Sequence, residues 1–127
     1  MAHEAIIPPG SAPPLAPYSP GVKVGNTIYV SGILAMDSEG NSVGVGDIKA
    51  QTQHVIEAIR SVVEAGGGTL ADVAFNQIFL ADLADYAGMN EVYREYFGDN
   101  PPARYCIKAE LVKPEFLVEI SSTAHIG

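Results

Sequence analysis

Residues 47–81 read DIKAQTQHVIEAIRSVVEAGGGTLADVAFNQIFLA, and the order of signals inside this stretch, a helix, a stop and a strand, decides the fold. Asp47 is the residue type that caps a helix, because its carboxylate accepts hydrogen bonds from backbone N–H groups that have no partner within the first turn. Behind it Ile48, Val55, Ile56, Ile59, Val62 and Val63 follow the three- and four-residue spacing of one buried stripe. Gly66-Gly67-Gly68 ends the helix. A glycine run can cradle phosphate where it opens a helix, but this one stands at a predicted C-terminus, where the dipole is negative, so it is a stop signal. Residues 73–81, largely apolar, then predict a strand in the middle of a sheet.

Toward the N-terminus, Val22-Lys23-Val24 and Thr27-Ile28-Tyr29-Val30-Ser31-Gly32 flank Gly25-Asn26, the pattern of a hairpin with a tight turn. Residues 37–46 hold three glycines and little periodicity, so they form a loop or a sheet edge. Residues 8–20 carry six of the nine prolines. Each proline fixes its own φ and biases the residue before it away from helix, so the segment is a stiff arm, expected to dock through Leu15 and Tyr18. Toward the C-terminus, Asp82 or Asp85 starts a second helix with Tyr86, Met89, Tyr93, Tyr96 and Phe97 on one face, closed by Gly98. Two strands, Ala103 to Val112 and Phe116 to Ala124, finish the chain. The order β-β-α-β-α-β-β predicts a single α+β domain over residues 1–127, with both helices on one face of the sheet. No element remains to cover the other face, and an oligomer is the natural solution.

Composition bounds the partners. The 127 residues include seven Lys and Arg against fifteen Asp and Glu, a formal net charge of −8, so the mean field repels phosphate backbones and anionic lipid headgroups. No two of the basic residues are adjacent. Nucleic acid and membrane are therefore not expected as partners. No stretch approaches the roughly 18 consecutive apolar residues of a membrane-spanning helix. With one cysteine and no basic-then-apolar leader pattern, the expected compartment is the cytoplasm. His3, His54, His125 and Cys106 lack the spacing of metal ligands, so no metal is expected.

A few residues stand out as chemistry. Along the strand from Ala103, Arg104, Cys106 and Lys108 point one way while Tyr105 and Ile107 point the other. Arg104 lies where a proline-containing loop meets a sheet. Its planar guanidinium matches a carboxylate with two parallel hydrogen bonds, though an ion pair with one of the many acids is the alternative. Glu119 sits within Leu117-Val118-Glu119-Ile120, where burial raises a carboxyl pKa and suits it to proton transfer; a structural salt bridge is the alternative. Cys106, without a histidine placed to serve it, is a packing residue rather than a nucleophile. Asn90, four residues after Tyr86 and three before Tyr93, puts an amide at the edge of the second helix's apolar stripe. Gly32, beside Ser31, allows a close approach of the backbone to a ligand.

Pro102-Ala103-Arg104-Tyr105-Cys106-Ile107 followed by Leu117-Val118-Glu119-Ile120 resembles the C-terminal signature of the Rid (YjgF-type, reactive intermediate deaminase) family. The Pro-Tyr-Ser-Pro-Gly segment at 17–21 and Val30-Ser31-Gly32 fall where that family has its other motifs. The resemblance implies a chorismate-mutase-like protomer, a mixed sheet with two helices on one face, and a barrel-like homotrimer with sites in the clefts between subunits. It implies hydrolysis of an enamine or imine acid to the carbonyl acid and ammonia, without a cofactor. A narrower likeness, in residues 102–107, 111–114 and 124–127, implies 3-aminoacrylate as substrate and malonic semialdehyde as product, in pyrimidine breakdown. Carried over by position, Arg104 clamps the substrate carboxylate and Glu119 orients water or shuttles its proton. Tyr18, Ser31, Gly32, Asn90 and Cys106 line the pocket. Tyr105, pointing away from Arg104, is expected to act in packing or at the neighbouring subunit. The alternatives are a 2-aminoacrylate (2-imino acid) deaminase, a metabolite-binding trimer without catalysis, and the ribonuclease activity known in some relatives, which the charge opposes.

Overall fold

The computed structural model describes residues 3–127. Eight regular elements follow one another: β1 (Glu4–Ile6), β2 (Gly21–Val24), β3 (Thr27–Ile33), α1 (Ile48–Ala65), β4 (Val73–Leu80), α2 (Tyr86–Phe97), β5 (Ala103–Lys108) and β6 (Val118–His125). The strands form one mixed sheet in the order β1-β2-β3-β6-β4-β5, with β4 and β5 parallel and every other neighbouring pair antiparallel.

Helix α1 begins and ends as its sequence dictates. The Asp47 carboxylate accepts from the Ala50 N–H at 3.1 Å. At the other end Gly68 N–H reaches Val63 O and Gly67 N–H reaches Glu64 O, with Gly67 at φ 97°. That pair of bonds around a left-handed residue is the Schellman arrangement, which glycine adopts without a Cβ penalty. Lys23 Nζ adds a hydrogen bond to Gly66 O at 2.9 Å, placing a cation at the negative end of the helix dipole.

The apolar stripe of α1 packs with Met89, Tyr93 and Phe97 of α2 onto one face of the sheet, where Ile28, Val30, Ile78, Leu80, Val118 and Ile120 meet it. Residues alternate along a strand, so the other face carries Tyr29, Phe75, Phe79, Tyr105 and Ile107. Tyr29, Tyr105 and Ile107 are 49%, 42% and 48% exposed. The Tyr105 ring meets Phe75 and Phe79 edge-on at 5.8 and 6.3 Å.

Several boundaries differ from the sequence expectation. A short strand at residues 4–6 precedes the hairpin and pairs with its outer edge; three residues are too few to show an alternation. The strand from Ala103 ends at Lys108 rather than Val112, and its successor runs over Val118–His125. The chain between them leaves the sheet so that Leu111 and Phe116 can pack with Leu34 and Met36 in a second small apolar cluster. Tyr86 lies on the exposed side of α2, and Val92 takes a buried place instead. The proline arm docks between α1 and the end of β3, but Leu15 and Tyr18 stay 46% and 44% exposed in the isolated chain.

The connection before β6 is tied to the core by one buried amide. Gln51 of α1 donates to Glu115 O at 2.8 Å and accepts from Leu117 N–H at 2.8 Å. Gln51→Leu keeps the volume but strands that carbonyl and that N–H, each worth about 1–3 kcal/mol when buried without a partner. Urea denaturation is expected to show a loss of about 3 kcal/mol; an unchanged midpoint would mean the connection is not held through Gln51.

Candidate functional site

The side chains singled out in the sequence gather into two groups. Arg104 lies on the helix side of β5, because Tyr105 takes the opposite face. Its guanidinium carbon stands 4.7 Å from the centroid of the Tyr93 ring and 5.8 Å from that of Tyr86. Nη2 donates to the Tyr86 hydroxyl at 3.1 Å. These rings, with Asn90, Phe97, Pro102 and Arg104 itself, line a hollow of about 400 Å³. Cys106, two residues along the same face, packs against the main core, and burial pushes its thiol pKa up, away from the reactive thiolate.

The second group forms around the end of β3. Ser31 donates from its hydroxyl to Ser19 O at 2.6 Å and from its backbone to Pro20 O at 2.9 Å. These bonds moor the arm and set Tyr18 beside Gly32 at the mouth of a hollow of about 380 Å³ beneath the arm, which also reaches His54 of α1. Gly32 leaves room for Glu119: a Cβ there would collide with the carboxylate and make it shift. Glu119, paired across the sheet with Phe79, is half-buried, and desolvation alone pushes its pKa up.

Within the chain, neither charge forms an ion pair among the described residues. The ion pairs there are Lys49–Glu91 and Arg60–Glu57; neither Arg104 nor Glu119 has an opposite charge as partner. An arginine held by two tyrosines keeps its full positive charge for an incoming anion. A half-buried carboxyl whose pKa desolvation raises is better suited than an exposed one to give and take a proton.

The two groups do not meet within one chain. Arg104 is on β5 and Glu119 on β6, with β4 between them, so their strand axes are ~10 Å apart. Their register partners on β4, Asn76 and Phe79, have opposite parity, so the two side chains point to opposite faces. A small carboxylate held by Arg104 of one chain cannot touch Glu119 of that chain. Among the described residues no grouping of three or more His, Cys, Asp or Glu has the arrangement to hold a metal ion, and no helix is long and apolar enough to cross a membrane.

The supports of Arg104 were missed by sequence reasoning. The stripe pattern marks Tyr86 and Tyr93 only as apolar positions of the second helix. The signal available was the Tyr86, Asn90, Tyr93 spacing, which sets two phenols and an amide in one row of a helix. Asn76, buried within an apolar strand, was a second signal left unused.

Residues 9–126 match the model of a protein family described as endoribonuclease L-PSP. The chain is 53% identical over 126 residues, 99% of its own length and all of the relative's, to a protein of Acinetobacter baylyi named 3-aminoacrylate deaminase RutC. Among solved structures, RidA of an Antarctic Psychrobacter species is 35% identical with a TM-score of 0.88, covering 97% of this chain and 99% of its own. The yeast protein YEO7 is 31% identical with a TM-score of 0.91, covering 98% of both chains.

The raised pKa of Glu119 carries a sign. The folded chain binds its proton more tightly than the unfolded chain, so stability falls as pH rises from the ordinary 4.5 through the raised value. Glu119→Gln is neutral throughout. Its melting temperature is expected to exceed that of the wild type at pH 7, with the difference shrinking as pH falls through the raised value and gone below about 4.5. A difference independent of pH would contradict the buried, unpartnered carboxyl.

Proposed function

The chain belongs to the endoribonuclease L-PSP family, also known as the Rid or YjgF family, and on that premise we propose that it is a cofactor-independent deaminase converting 3-aminoacrylate and water to malonic semialdehyde and ammonia. The observation that carries this reading is the pair of charges without counterions among the described residues: a guanidinium at the wall of one hollow and a protonatable carboxyl packed against Gly32. An enamine acid needs one group to hold its carboxylate and one to move a proton, and little else.

The chemistry fits this equipment. 3-Aminoacrylate takes a proton on the carbon next to its carboxylate and becomes an iminium. Water adds to the iminium carbon, the nitrogen takes up a proton, and ammonia leaves as the carbonyl forms. Arg104 holds the carboxylate through two parallel hydrogen bonds, its fork already oriented. Glu119 orients the attacking water and passes its proton on. Asn90 supplies a polar contact on the Arg104 side, and Tyr18, Ser31 and Gly32 shape the Glu119 side. Cys106 lies beside the ligand as an uncharged wall.

A complete site takes its Arg104 half from one subunit and its Glu119 half from the next, in a homotrimer whose sheets bring their exposed apolar faces together. Tyr29, Tyr105 and Ile107 are the residues that such an assembly covers. A lone free cysteine suits the reducing cytoplasm. The ribonuclease reading in the family's description finds less support here: the formal charge is −8, and Lys49 and Arg60 are each engaged by a glutamate.

Arg104→Ala is expected to lower kcat/KM for ammonia release from 3-aminoacrylate by roughly a hundredfold or more, with an unchanged circular dichroism spectrum. Full activity in that variant would refute the clamp, and saturable carboxylate binding by the wild type without turnover of 3-aminoacrylate or 2-aminoacrylate would favour a metabolite-binding trimer. Gly32→Ala pushes the Glu119 carboxylate out of place and is expected to cost on the order of a hundredfold in kcat, partly recovered by adding Glu119→Asp, whose shorter side chain clears the new methyl. A Gly32→Ala enzyme with wild-type kcat would remove Glu119 from the mechanism.

A further inference from the structure

Three polar side chains that this mechanism does not use form a chain on the helix side of the sheet. Asn76 of β4 is fully buried and is the register partner of Arg104. Its amide donates to the Tyr93 hydroxyl oxygen at 2.9 Å and accepts from the Ser122 hydroxyl at 2.5 Å. Ser122 and Tyr93 are buried as well. Burying such groups is costly unless each is satisfied, and apolar side chains of similar size would fill the same space at lower cost. A satisfied buried network does something an apolar cluster does not: it admits one geometry. The geometry fixed here is the position of the Tyr93 ring, because the phenol at its tip is tied through Asn76 to two strands, β4 and β6. Arg104 packs against that ring.

We propose that Ser122, Asn76 and Tyr93, together with Tyr86, are positioning residues that hold the Arg104 guanidinium ready for a carboxylate; this rests on the carboxylate-clamp reading above. Tyr93 supplies a fixed aromatic face 4.7 Å from the guanidinium carbon, and the Tyr86 hydroxyl takes one N–H at 3.1 Å. Together they restrain a long, flexible side chain at both a face and an edge. An aspartate or glutamate in their place would orient Arg104 as well but would neutralise it and compete with the substrate. Two tyrosines and a buried amide orient the cation while leaving its charge unspent.

The test is a double-mutant cycle with Arg104→Ala, Tyr93→Leu and the combined variant, with Tyr93→Phe and Tyr86→Leu as milder changes. Tyr93→Leu is expected to raise KM about tenfold while kcat stays within about twofold, because its effect passes through ground-state capture of the carboxylate. Tyr93→Phe keeps the face but loses the tie to Asn76, and Tyr86→Leu, at an exposed position that does not endanger folding, loses the hydroxyl contact; each is expected to raise KM about threefold. In the Arg104→Ala chain, Tyr93→Leu is expected to change KM no further. Equal effects of Tyr93→Leu with and without Arg104, or Tyr86→Leu and Tyr93→Phe enzymes with wild-type KM, would overturn the proposal. Should the wild type turn over no enamine acid, propionate titrated against the same chains, read by NMR of the Arg104 Nε–H, separates the two ideas. About tenfold weaker propionate binding in Tyr93→Leu supports the positioning role without the deaminase, and equal binding refutes it.

Discussion

A β-sheet has two faces, and the helices of this chain cover one. The site is shaped by that constraint. Because side chains alternate along a strand, the core of Ile28, Ile78, Leu80, Val118 and Ile120 beneath α1 and α2 forces the residues between them outward. Those residues include an aromatic group of Phe75, Phe79 and Tyr105 and, on β6, Glu119. Arg104 has the opposite parity and stays on the helix side, against Tyr86 and Tyr93 of α2. The two charged groups are therefore separated by the sheet itself. In the proposed trimer, a neighbouring subunit brings them to one small molecule.

Electrostatics agrees with this division. In a chain of net charge −8, an arginine would be expected to find an acid, yet Arg104 is bounded by phenols, while Glu91 and Glu57 pair with Lys49 and Arg60. Leaving a cation without a counterion costs stability, and leaving Glu119 half-buried without a cation does the same. Arg104 lies at the wall of a hollow, and Glu119 lies against Gly32 on the sheet face that the helices leave open. Stability has been given up at two places that a bound carboxylate and a water can repair.

Much of the fold was legible because its signals are local. The Asp47 cap, the stripe from Ile48 to Val63 and the glycines at 66–68 each act within one or two helical turns, and all three took the form their chemistry demands. The Gly25-Asn26 turn was equally local: Gly25 adopts φ 58°, as a tight hairpin requires. Strand β1 was not legible, since Glu4–Ile6 becomes a strand only by pairing with β2, a contact across the whole proline arm. The early end of β5 was hidden for a similar reason: Leu111 and Phe116 leave the sheet to meet Leu34 and Met36, which lie far away in sequence. In the site, Arg104 and Glu119 stood out as charges in apolar strands, while Tyr86 and Tyr93 did not, because a tyrosine in a helix stripe looks the same whether it fills a core or supports a cation.

The central claim is that catalysis needs Arg104 of one subunit and Glu119 of another. Chains carrying Arg104→Ala and chains carrying Glu119→Gln, co-expressed under two affinity tags and purified through both, give mixed trimers in which only one junction pairs an intact Arg104 with an intact Glu119. Deamination of 3-aminoacrylate by these mixed trimers is predicted to return to about a third of the wild-type rate, while either variant alone stays roughly a hundredfold or more below it. Mixed trimers no faster than their parents would contradict a site shared between subunits.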